Sequence, residues 1–68
     1  MKVSDQQGKF TESYVVDFWH KLNNGFYVSE KRTYWSNSRS AHKEVEKIAL
    51  KALSKILKDV KISSVTYQ

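Results

Sequence analysis

The chain predicts an α+β domain of order β-β-α-β: a three-stranded antiparallel sheet, ordered 2-1-3, with one helix packed on one face. Three observations carry that reading. Tyr14–Trp35 holds two runs of β-branched and aromatic residues around a single Asn-Asn-Gly, a strong hairpin signal. From Ser40 to about Lys58, Val45, Ile48, Ala49, Ala52, Leu53, Ile56 and Leu57 recur at three- and four-residue spacing, which is helical. Val60–Tyr67 is β-branched and alternating again.

In chain order, residues 1–8 are polar and end on Gly8, and they read as a flexible N-terminal tail. Residues 9–68 then form one small domain. From Lys9 onward Phe10, Tyr14, Val16, Phe18 and Leu22 share one parity, with Glu12 and His20 as exceptions. Period two over that length is a half-buried strand.

The turn decides which faces the hairpin residues occupy, because a slip of one residue exchanges the two faces. A two-residue turn at Asn24-Gly25 would pair Leu22 with Tyr27. A three-residue turn over Asn23-Asn24-Gly25, with the glycine in a left-handed bulge, would pair Leu22 with Phe26. The second register collects Tyr14, Val16, Phe18, Leu22, Phe26, Val28 and Tyr34 on one face, whereas the first scatters them. It also sets Asp17 opposite Lys31, a favourable cross-strand pair. Its weakness is Glu30 and Arg32 on the core face, tolerable only near an edge or paired with each other.

The loop Ser36–Ser40 offers several N-caps, of which Ser40 is the best placed. No Gly or Pro interrupts the helix that follows. A crossover of this kind is right-handed by rule, which brings the last strand back beside the first. Leu50 falls outside the main stripe and widens the apolar arc, so the helix is expected to have contacts on two sides.

Sixty-eight residues with no cysteine leave room for one domain, and neither disulfide nor thiolate metal site can staple it. His20 and His42 are the only histidines, so no metal cage and no cofactor are expected. Both histidines read as surface or edge residues. His20 and Asp17 lie on one strand with opposite parity, so they cannot form a dyad. No Ser-His-Asp set and no Gly-rich phosphate loop is present. The chain reads as a non-enzyme.

The N-terminus lacks the apolar core of a signal peptide. No purely apolar run exceeds three residues, as at Ile48–Leu50, so nothing spans a membrane. A cytoplasmic protein without a membrane partner is the expectation. Its size and lack of an enzyme signature suit an accessory protein of a phage or mobile element, by association only.

Twelve Lys and Arg against seven Asp and Glu give a net charge of +5, which favours polyanionic partners. Trp19, Tyr27 and Trp35 fall on the sheet face that the helix does not cover, beside Lys21 and Lys31, with Arg39 in the following loop. Flat rings interleaved with cations suit single-stranded nucleic acid: bases stack on the rings and the cations meet phosphates. The competing expectation is a protein-interaction or homodimerisation module that buries the same rings. A rival phosphate-contacting site is a lysine row on the helix: Lys43, Lys47, Lys51 and Lys55, with Lys58 on the same side. Like charges at this spacing repel by a few tenths of a kcal/mol per pair. Solvated helix faces are commonly lysine-rich, however, so the row needs no ligand to explain it.

Overall fold

The computed structural model describes residues 2–68. It has five elements: β1 (Val3–Ser4), β2 (Glu12–Lys21), β3 (Tyr27–Ser36), α1 (His42–Ser54) and β4 (Lys58–Tyr67). The α+β class holds, with one helix and an antiparallel sheet. The sheet has four strands in the order β1-β3-β2-β4, however, and not three. The extra strand comes from the segment read as a loose tail: Val3 and Ser4 pair with Ser36 and Trp35, and the Ser36 hydroxyl donates to the Lys2 carbonyl.

The hairpin adopts the three-residue turn. Leu22 N–H donates to the Phe26 carbonyl at 2.7 Å and Gly25 N–H to the Leu22 carbonyl at 3.0 Å. Gly25 has φ +90°, a conformation that costs a glycine little. The Asn24 side chain accepts the Phe26 N–H. From this turn the register runs unbroken through Lys21–Tyr27, Asp17–Lys31 and Tyr14–Tyr34 to Glu12–Ser36.

The core lies between α1 and the inner face of the sheet. Tyr14, Val16, Phe18 and Tyr34 from the sheet meet Ala41, Val45, Ala49 and Leu53 from the helix, with Leu57, Val60, Ile62 and Val65 packed around them. Tyr14 also organises the start of the helix. Its hydroxyl donates to the Ser38 carbonyl and accepts the Ala41 N–H. The N-cap is therefore Ala41, with no side-chain cap of its own, and not Ser40.

The helix stops at Ser54, short of the expected Lys58, with neither Gly nor Pro to end it. Lys55 and Ile56 N–H bond three residues back, to the Ala52 and Leu53 carbonyls, so the last turn tightens. Asp59 then takes a left-handed backbone with φ +51°, which Asp tolerates better than most residues. There β4 bulges against β2, between the Trp19–Lys61 and Lys21–Lys58 pairs.

Lengths now matter. Thirteen helical residues span about 20 Å, whereas ten strand residues span about 33 Å. The helix starts at Tyr14 and runs out near His20, so the inner face beyond it is open. Leu22 and Phe26, expected in the core, are exposed, as are Ile56 and Ala52 of the expected helical stripe, and Leu50, expected to widen that stripe's arc. The helix lies chiefly over β4 and β2, which also leaves Glu30 and Arg32 on β3 exposed.

Candidate nucleic-acid interface

The outer face of the sheet is built by alternation along three strands. Val15, Asp17, Trp19 and Lys21 of β2 lie between Thr33, Lys31, Ser29 and Tyr27 of β3 and Thr66, Ser64, Lys61 and Lys58 of β4. No helix covers this face. Trp19 is 44% exposed and Tyr27 42%, so neither is core.

The two rings are diagonal neighbours, because Trp19 stands opposite Ser29 and Tyr27 opposite Lys21. Such diagonal positions lie about 7–8 Å apart. Tyr27 is held from the far strand: its hydroxyl donates to the Asp59 carboxylate, which pushes the phenol pKa up because the bond favours the protonated form. The Lys61 ammonium lies 5.9 Å from the centre of the same ring.

Four cations surround the rings: Lys21, Lys31, Lys58 and Lys61. Two carboxylates share the face, and each has a partner. Asp17 accepts the Ser64 hydroxyl at 3.1 Å, and Asp59 accepts Tyr27. Four lysines against these two carboxylates leave the face net positive.

Not every expected residue joins the cluster. Trp35 is on the same face but half-buried, between Ser13 and Ser4. Six strand positions separate its register from that of Trp19, about 20 Å. Arg39 belongs elsewhere: its Nε lies 3.4 Å from Glu12, and Glu12 also accepts the Tyr67 hydroxyl. Tyr67 and Thr11 hold the Glu12 carboxyl below its ordinary pKa.

The lysine row is shorter than expected. Lys43, Lys47 and Lys51 lie exposed on α1, with Lys55 at its C-cap, where a cation suits the helix dipole. Lys58 leaves the row altogether. As the first residue of β4, paired with Lys21, it sits on the sheet's outer face. Lys61, absent from the expected site, was readable from its position between the inward-facing Val60 and Ile62.

Of the two histidines expected at the surface or an edge, His42 is exposed and His20 is not. His20 is buried, with its Nε2 bonded to the Glu30 carboxylate. The exposed His42 packs edge-on against Tyr14 at 5.0 Å. Among the described residues no group of three or more His, Cys, Asp or Glu could hold a metal, and no helix is long and apolar enough to cross a membrane. Comparison with protein-family models, curated proteins and solved structures finds no match to this chain.

Proposed function

We propose that this chain is a non-catalytic binder of single-stranded nucleic acid, using the outer face of the sheet around Trp19 and Tyr27. The observation that carries this reading is the pairing of two half-exposed rings with Lys21, Lys31, Lys58 and Lys61.

Exposed flat rings favour an unpaired strand. Bases inside an intact duplex stack on one another, whereas unpaired bases can splay out and stack on aromatic side chains. Stacking contributes about 1–3 kcal/mol per base. The exposed cation–ring contact of Lys61 with Tyr27 contributes about 0.5–1 kcal/mol, so a base can displace the ammonium, which then turns to a phosphate. Trp35 and Arg39 fall outside this footprint.

Titration with short single strands at two salt concentrations, read by tryptophan fluorescence, tests the reading. Quenching that weakens with salt is expected in the parent and in Trp35→Phe, and its loss in Trp19→Phe. No quenching at low salt would end the proposal.

The competing reading, a protein-interaction or homodimer module on the same face, draws on the same exposed rings. Four lysines around them weigh against a second copy of a +5 chain. Sedimentation of the free protein separates the two: self-association lost in Trp19→Ser would favour the dimer.

A further inference from the structure

At the hairpin end of the molecule, apolar side chains project past the end of the helix. Phe26, 71% exposed, sits at the tip of the β2–β3 turn. Ile56, 66% exposed, sits in the α1–β4 turn. The register brings both turns to one end, because Tyr27, Lys21 and Lys58 are aligned across the three strands. A cleft between the turns is lined by His20, Leu22, Ile56 and Leu57. The molecule is elongated, 38 × 18 × 16 Å, and at its end most of the Phe26 and Ile56 surface stays open to solvent.

Cations flank this end on both sides of the sheet. Lys55 stands on the helix side and Lys21 and Lys58 on the outer side. Two carboxylates lie nearby, Glu30 bonded to His20 and Asp59 to Tyr27, and the three lysines outnumber them. A peptide lying along one face would meet only one of these flanks. An object meeting both is a negatively charged surface against the tip.

From this geometry we infer that the hairpin end docks on an anionic bilayer, with Phe26 and Ile56 entering the headgroup–acyl boundary and Lys21, Lys55 and Lys58 meeting lipid phosphates. A chain too polar to span a bilayer can still rest on one when apolar tips and cations coincide. Phe26 and Ile56 take no part in the nucleic-acid reading, so their substitution separates the two. Lys21 and Lys58 are common to both, so the two ligands compete.

The test is co-sedimentation of the full chain with vesicles of phosphatidylcholine alone, or of phosphatidylcholine with phosphatidylserine. Binding is expected to the anionic vesicles only, weakened about tenfold or more by Phe26→Ser and again by Ile56→Ser. Both residues are exposed, so the variants should keep the parent's circular dichroism, and their affinity for single strands should be unchanged. In Phe26→Trp, anionic vesicles should shift the added emission to the blue. Binding indifferent to Phe26→Ser and Ile56→Ser would reduce the contact to charge alone and overturn the inference. So would no binding at low salt, or self-association without vesicles that Phe26→Ser abolishes.

Discussion

The hydroxyl of Tyr14 accepts the backbone N–H of Ala41 at 3.0 Å while donating to the carbonyl of Ser38. One sheet side chain thus does the work of a helix cap from 27 residues away. Both Tyr14 and Ala41 are fully buried, so no water can replace the bond. Tyr14→Phe keeps the ring and orphans the donor, at a cost of about 1–3 kcal/mol. Urea denaturation should show that loss, with amide exchange at the start of α1 accelerated more than in β2.

Gly25 provides a test of the backbone alone. A Cβ placed there meets nothing within 4 Å, so crowding contributes nothing to the cost of a side chain. The φ of +90° nonetheless disfavours an L-residue by about 1–2 kcal/mol. Gly25→Ala should lower the unfolding free energy by that amount, moving the denaturant midpoint down without changing the slope.

Under the proposed function, salt dependence should report how many lysines touch phosphate. Each such contact contributes about 0.7 to the slope of log affinity against log salt for a single strand. Lys58→Ala and Lys61→Ala should each reduce the slope by roughly that amount. Lys47→Glu with Lys51→Glu should leave it nearly unchanged, and a large fall there would move the site to the helix.

Alkali should destabilise the fold. Burial pushes the Tyr34 phenol above its ordinary pKa, partly offset by Arg32. Hydrogen bonds to carboxylates do the same for Tyr27 and Tyr67. A raised folded-state value means the neutral phenol stabilises the fold fully below the unfolded pKa of about 10. That contribution fades as pH climbs through the higher folded values. Melting temperature should therefore fall above about pH 10, and less steeply in Tyr34→Phe. Asp59→Asn should bring the ultraviolet titration of Tyr27 down towards its ordinary range. At the acid end Glu12 acts oppositely. Its lowered value makes its contribution complete above the unfolded pKa and lost as pH falls through the folded one.

The hairpin register was legible because Asn23-Asn24-Gly25 and the alternation of Tyr14, Val16 and Phe18 agree on one pairing. The end of the helix was not. The three- and four-residue spacing of apolar residues continues through Ile56 and Leu57 although the backbone has already tightened, and no sequence signal marks that change. Lys58 was misplaced for the same reason. The β1 strand escaped notice because two residues are too few to show a period. Exposure of Leu22 and Phe26 follows from the mismatch between helix and strand lengths, which becomes visible only once Ser54 is known to end α1. Of the expected site, Trp19, Tyr27, Lys21 and Lys31 fall together. Trp35 shares their face at too great a distance, and Arg39 is drawn off by Glu12.

The kink where Asp59 turns left-handed has a colloidal meaning as well. A long outermost ribbon with free amides invites a neighbour to add on, and sheets that grow this way become fibres. Here β4 is interrupted against β2 at two places, and β3 carries Glu30, Lys31 and Arg32 in succession along its other border. Neither rim is a straight template, so a concentrated preparation should stay clear and free of thioflavin-binding aggregates, while straightening the Asp59 step would make it prone to gel.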